Sequence, residues 1–357
     1  MVYLSLIKVF LPTALAFFIG IGIAPLLTHW LYKNKMWKKR AGKIAPDGRE
    51  TPIFNELHKN KEVNTPRMGG IVIWGSTLLT VLVFILINWL FPSDLSSKLN
   101  FFSRNQTWLP LFTLLVGALV GLVDDLLQVR ATPEQAKTAG LSFGRRLAIV
   151  TILALIVSYW FYFKLGVTFI NLPFVGELAL GWLIIPLFVF TMIALFSSGV
   201  IDGLDGLSGG IMAIIFASYT VIAFFQNQID LAAFCGAVTG GLLAFLWFNI
   251  PPARFYMSET GILGLTTALT VVAFLTESVA TLPIIALPLV ATVISVVIQL
   301  LSKKFRNGKK VFKVAPLHHH FEAIGWPAYK VVMRYWVIGI VFAIIGMIIT
   351  LIGGPKL

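Results

Sequence analysis

Apolar residues in this chain come in long unbroken runs rather than in alternation. Ten runs stand out, at 9–31, 69–91, 108–123, 145–165, 180–198, 208–225, 231–248, 261–276, 282–301 and 332–353. A bilayer's hydrocarbon core takes about 20 apolar residues of helix, and only helices or closed barrels satisfy the backbone in lipid. Barrel strands alternate, so continuous runs select helices. The pattern predicts an all-α, polytopic membrane helical bundle of about ten transmembrane helices, read as one transmembrane domain over 1–357. Lys8 before an apolar stretch imitates a signal peptide, but Thr28 to Arg40 turns basic and offers no small-residue cleavage site, so the first run reads as a span.

Ten spans place both termini on one side. Loops 32–68, 124–144, 199–207, 249–260 and 302–331 then share the other side. Of the 28 Lys and Arg, only Lys8, Lys98, Arg104, Lys164 and Lys356 fall with the termini. The positive-inside rule makes the basic side cytoplasmic and the termini external. The longest loop, 32–68, is expected to be partly disordered. Composition agrees with a membrane protein, at 58% hydrophobic and 12% charged residues. The net charge of +13 resides in loops between spans, the ordinary consequence of topology, so no nucleic-acid partner is expected. The single Cys235 sits in an apolar run, cannot form an internal disulfide, and reads as a small buried hydrophobe.

The polar residues that interrupt this pattern gather on the cytoplasmic side. Val123-Asp124-Asp125 ends the third run, and adjacent carboxylates at a membrane boundary call for a cation or a shared proton, or else are a solvated helix cap. Asp202-Gly203-Leu204-Asp205-Gly206 places two carboxylates three apart, on one face if the turn is helical; the plainer reading is a glycine-rich turn with Asp as helix N-cap. Asn249, Tyr256 and Glu259 flank two prolines before the eighth run. Asn64-Thr65-Pro66-Arg67-Met68-Gly69-Gly70 precedes the second run, where Lys61, Arg67 and the glycines suit phosphate or a simple turn. Leu317-His318-His319-His320-Phe321-Glu322 follows a basic segment and holds three of the five histidines; no further His or Cys group has zinc-ligand spacing. Carboxylates, cations and histidines at one face of a membrane bundle suit magnesium-dependent phosphoryl transfer with a lipid substrate.

These motifs, in this order and over nearly the whole chain, resemble those of the phospho-N-acetylmuramoyl-pentapeptide transferases, within the polyprenyl-phosphate sugar-1-phosphate transferases. The matching pieces are Thr65-Pro66 with Met68-Gly69-Gly70, Val123-Asp124-Asp125, Asp202-Gly203-Leu204-Asp205-Gly206-Leu207, Trp247-Phe248-Asn249 with Pro252-Ala253, and Pro316 to Glu322. The resemblance implies a ten-helix enzyme of the bacterial inner membrane. It would move phospho-MurNAc-pentapeptide from its UDP carrier to undecaprenyl phosphate, releasing UMP and forming lipid I, with Mg²⁺ required. Asp124, Asp125 and His318 would be catalytic, Asp124 taking a proton from the lipid phosphate. Asp202, Asp205, Asn249, Tyr256, His319, His320, Lys61 and Arg67 would bind substrate. Glu259 and Asp125 would hold the metal. The resemblance leaves a homodimer open.

The chain departs from the family pattern at several of these positions. Glu259 stands where the family has a metal-binding Asp, Gln128 where it has Lys, Gly199 where it has Asn, Arg67 where it has Thr, and Asn64 where it has Gly. Tyr256 takes the place of a stacking Phe. The alternatives are a sister transferase for another UDP-linked HexNAc-1-phosphate, a non-catalytic homologue, and a secondary transporter. Transporters usually carry internal repeats and midplane acids, and this chain has no visible repeat.

Overall fold

A computed structural model describes residues 2–39, 63–103, 106–132 and 139–354. Among the described residues, ten helices are long and apolar enough to cross a membrane. They are α1 (Val2–Lys33), α2 (Ile71–Leu90), α4 (Trp108–Arg130), α5 (Phe143–Phe163), α6 (Ile184–Ser197, with the 3-10 turns around it), α7 (Leu207–Phe225), α8 (Ile229–Asn249), α9 (Ser258–Leu275), α11 (Leu287–Phe305) and α13 (Ala328–Gly353). Three short helices join them: α3 (Asp94–Leu99), α10 (Leu282–Ile285) and α12 (Leu317–Ala323). Each expected span has its helix. The segment between α5 and α6, expected as plain loop, folds into an antiparallel hairpin of β1 (Phe169–Leu172) and β2 (Gly176–Ala179), with Phe169 opposite Ala179.

The bundle is built around α9. Of its most apolar stretch 89% is buried, against 22% for the peripheral α1. Lipid gives helices no hydrophobic reason to associate, so close backbone approach through small residues does that work. Helix α9 supplies Gly261, Gly264, Thr266, Thr267 and Ala268, and α4 answers with Gly117, Ala118 and Gly121. A Cβ on Gly121 would overlap the Glu259 carbonyl, and one on Gly117 would lie 2.6 Å from Thr267 Oγ1. Thr267 Oγ1 also donates to the Thr113 carbonyl across the interface, at 2.9 Å. Further along α9, Phe161 of α5, Phe188 of α6 and Phe274 form an aromatic cluster with centroids 4.5–5.9 Å apart.

Three boundaries differ from expectation. Helix α4 runs to Arg130, so Asp124 and Asp125 lie inside it rather than at its end. The ninth run breaks at Ala286, leaving α10 and α11, each opened by a proline that suits a first helical turn. Asp202 to Gly206 is not a helical turn. A 3-10 turn, Ser198–Ile201, ends at Asp202, and α7 starts after Gly206, which caps it at φ +80°. The two carboxylates therefore serve different partners, and neither is the N-cap.

Candidate active site

The N-terminus of α9 organises the polar end of the bundle. First-turn N–H groups have no partner within their own helix, and here carboxylates from elsewhere receive them. Asp125 Oδ2 accepts from the Thr260 N–H at 3.0 Å and from Thr260 Oγ1 at 2.6 Å. Asp202 Oδ2 accepts from the Ser258 N–H at 2.9 Å. Positive helix ends favour such anions, so α9 holds one acid from α4 and one from the turn before α7. The Met68-Gly69-Gly70 segment crosses just outside. The Gly69 N–H donates to the Tyr256 carbonyl at 2.8 Å, the Gly70 N–H to the Met257 carbonyl at 3.2 Å, and the Tyr256 N–H to the Pro66 carbonyl at 2.9 Å. A side chain at Gly70 would overlap Gly261.

That crossing delivers Arg67 to the carboxylates. Arg67 Nε donates to Asp125 Oδ1 at 3.0 Å. Burial works against the Arg67 charge, but the surrounding carboxylates, Asp125 foremost with Glu259 and Asp202, together offset it and hold the guanidinium above its ordinary pKa. A second guanidinium enters from α5. Arg146 Nη1 pairs with Glu259 Oε1 and lies 3.6 Å from Asp124 Oδ2. Asp124 also accepts from Gln128 Nε2 at 2.9 Å and from the Leu141 N–H, so the segment after residue 138 closes over it. Two charged groups, Arg67 with Asp125 and Arg146 with Asp124 and Glu259, thus adjoin through the neighbouring Asp124 and Asp125. Asp124 and Asp125 are buried, while the Glu259 side chain is 24% exposed and is the open member.

Reading the sequence did not single out Arg146. A signal was present, because Arg145 and Arg146 occupy the first turn of a helix, where the macrodipole repels cations unless acids face them. Arg67, a phosphate-binding candidate from the sequence, lies beside the acids and pairs with Asp125. Gln128, at the family's Lys position, donates to Asp124 and carries no charge. Lys61 lies outside the described residues, as does most of the long loop.

The second half of the site joins the turn before α7 to the histidines. Asn249 Oδ1 accepts from the Gly206 N–H at 2.8 Å, and Asn249 Nδ2 donates to the Phe255 carbonyl at 2.9 Å. Asp205 Oδ2 accepts from the Ala253 N–H at 3.2 Å, and Asp202 Oδ1 from Ser208 Oγ at 2.6 Å. These three side chains shape the backbone around the site. His318 and His319 are buried against this turn, and a Cβ on Gly203 would lie 2.6 Å from His318 Nε2 and 2.8 Å from His319 Nε2. Only glycine lets the turn approach both rings so closely. His319 Nδ1 meets Glu322 Oε2 at 2.7 Å. His320 faces away, its Nδ1 accepting from the Lys313 N–H at 3.2 Å. The triplet therefore divides, two rings toward the acidic turn and one toward the basic segment.

Among the described residues, no three His, Cys, Asp or Glu side chains converge as a ready-made metal cage. Mg²⁺ does not require one, since it is usually held by one or two carboxylates together with substrate phosphates. The donor set fits that mode. Glu259 is partly exposed and shares Arg146 with Asp124, and a carboxylate has about four acceptor sites, of which Asp125 uses three.

A helical membrane bundle with acids, guanidiniums and histidines at one end suits a membrane phospho-sugar transferase. The sequence model of Glycosyl transferase family 4 matches residues 107–277, which run from α4 to the end of α9 and include Asp124, Asp125, Arg146, Asp202, Asn249 and Glu259. Along nearly its whole length the chain is similar to curated phospho-N-acetylmuramoyl-pentapeptide-transferases. It is 36% identical to that of Anoxybacillus flavithermus over 96% of this chain and 98% of the relative. For Thermoanaerobacter sp. the identity is 35% over 94% and 96%, and for Listeria monocytogenes 33% over 95% and 97%. The chain belongs to the phospho-N-acetylmuramoyl-pentapeptide-transferase family.

Proposed function

We propose that this chain transfers phospho-MurNAc-pentapeptide from its UDP carrier to undecaprenyl phosphate, yielding lipid I and UMP for peptidoglycan synthesis, at the cytoplasmic face of the bacterial inner membrane. One observation carries the reading. Acids and guanidiniums from segments far apart in sequence converge at the same end of the bundle as the buried His318 and His319, in a chain related end to end to such transferases.

In this reading a phosphate oxygen of the lipid attacks the phosphorus that carries the sugar. The new P–O bond forms as the bond to UMP breaks, and UMP leaves with the electron pair. Asp124 takes the proton of the attacking phosphate. Arg146 and Arg67 lie against the acids, where their remaining N–H groups face charge spreading over the phosphoryl oxygens; fixed donors aimed at developing charge are often the largest catalytic contribution. Asp125, held by Arg67 and Thr260, keeps the α9 N-terminus in register with α4. Glu259 and Asp125 would hold Mg²⁺, which neutralises diphosphate charge when bound. His318 and His319, with Asp202, Asp205, Asn249 and Tyr256, border the nucleotide-sugar side.

The test is UMP release by purified protein in detergent, given UDP-MurNAc-pentapeptide and undecaprenyl phosphate, with and without Mg²⁺. The expected result is release that needs both the lipid and the metal. Release only with a different UDP-HexNAc would reassign the substrate, and no release from folded protein with any of them would make the chain a non-catalytic homologue.

A further inference from the structure

Helix α11 buries an unusual stripe. Its inward positions include Ser295, Gln299 and Ser302, and polar side chains inside a membrane bundle are held there by partners. The partners lie in the segment that follows. Gln299 Oε1 accepts from the Val311 and Phe312 N–H groups at 3.1 and 3.0 Å, and Gln299 Nε2 donates to the Phe312 carbonyl at 2.9 Å. Ser302 Oγ donates to the Lys309 carbonyl at 2.9 Å, and Ser295 Oγ accepts from the Leu317 N–H at 2.9 Å. Residues 306–317 are thereby folded back onto the helix end. A loop that only satisfied the positive-inside rule would need its charges and not this stapling.

The end of α11 and the outward side of the stapled segment carry Lys304, Arg306, Lys309, Lys310 and Lys313, all exposed, with no acidic residue between 303 and 316. Apolar side chains lie among these cations. Phe305 is 73% exposed, and Leu301 and Val311 are each 48% exposed. Cations above exposed apolar anchors, at the end of a membrane-spanning helix, match a bilayer surface containing anionic lipid. The same segment adjoins the helix of the His triplet through the Lys313 N–H on His320 Nδ1. We propose that this platform is a binding site for anionic phospholipid headgroups, distinct from the lipid substrate's reacting phosphate, and that its backbone fold is needed for the site as well as its charge.

The test uses the full chain in nanodiscs and measures, by electron paramagnetic resonance, the association of spin-labelled phosphatidylglycerol relative to spin-labelled phosphatidylcholine. The wild type is expected to prefer the anionic lipid several-fold. Replacing all five cations by Gln should bring the preference to that of a neutral surface. Gln299→Ala, which keeps every charge and releases the segment, should lose most of it; Ser302→Ala serves the same purpose if Gln299→Ala does not fold. A quadruple Lys33→Gln, Lys35→Gln, Lys38→Gln, Lys39→Gln control should keep it. Equal association of both lipids with the wild type would overturn the proposal. So would full preference in folded release variants, or equal loss in the control, since either leaves only diffuse loop charge. A quintuple variant that keeps its lipid preference but shows a raised KM for the soluble nucleotide sugar would reassign the patch to substrate steering.

Discussion

The two ends of the bundle face the same physical problem and close differently. Helix ends leave backbone groups without partners, and the interior holds little water to serve them. At the end away from the site, neutral side chains do most of the closing. Gln226 Nε2 donates to the Thr276 carbonyl and Gln228 Nε2 to the Leu275 carbonyl, each at 2.9 Å, and Thr281 Oγ1 meets Thr350 Oγ1 at 2.7 Å. The ion pairs there, Lys8 with Asp230 and Lys98 with Asp94, retain solvent exposure. At the site end the closing groups are ionised and include the buried Asp124 and Asp125. Burying charge is expensive even when it is paired. At the far end neutral amides and hydroxyls do most of the closing and neither paired acid is fully buried, so the fully buried acids at the site end are better explained by chemistry than by stability.

The two ends differ most at Asp124. Asp124→Asn keeps the shape and one of the two acceptor oxygens but loses the proton acceptor, and should slow UMP release by about 10²- to 10⁴-fold with the protein still folded in detergent. Turnover near the wild-type rate would exclude Asp124 as the base. Next comes Arg146→Gln, expected to lower kcat by about 10²- to 10³-fold, the scale for removing one fixed electrostatic donor, with Arg146→Lys recovering part. If the two variants lose nothing, the guanidinium that pairs with Glu259 is only a closing group like those at the far end.

A smaller effect separates metal holding from packing at Glu259. Glu259→Ala should raise the Mg²⁺ concentration for half-maximal activity by at least the ~10-fold carried even by groups one shell removed from a metal, and Glu259→Asp should raise it less. Identical magnesium titrations would take Glu259 out of the metal site. The smallest effect belongs to the far end. Gln228→Leu strands the Leu275 carbonyl and should cost about 0.6–1.5 kcal/mol of stability, read as a lower melting temperature, with kcat unchanged. A large loss of activity there would mean that the two ends are coupled.

The sequence alone determined the architecture. Hydropathy is local and adds along the chain, so each of the ten runs is legible without knowledge of its neighbours. The acids, histidines and glycine-rich segments were equally visible, because polar residues in so apolar a chain stand out. What a carboxylate does inside such a bundle depends on which cation arrives from another helix, and that is not a local property. Asp124 and Asp125 read as a helix end, yet α4 continues to Arg130 because Arg67, 58 residues earlier in the chain than Asp125, and Arg146 supply the partners that let the charges stay inside. In the same way, only the folded chain divides the His triplet and gives Asn249 its two backbone partners. Burial, which strengthens a charge pair and penalises a lone charge, is created by the packing, so the tertiary structure decided which of the visible residues became a site.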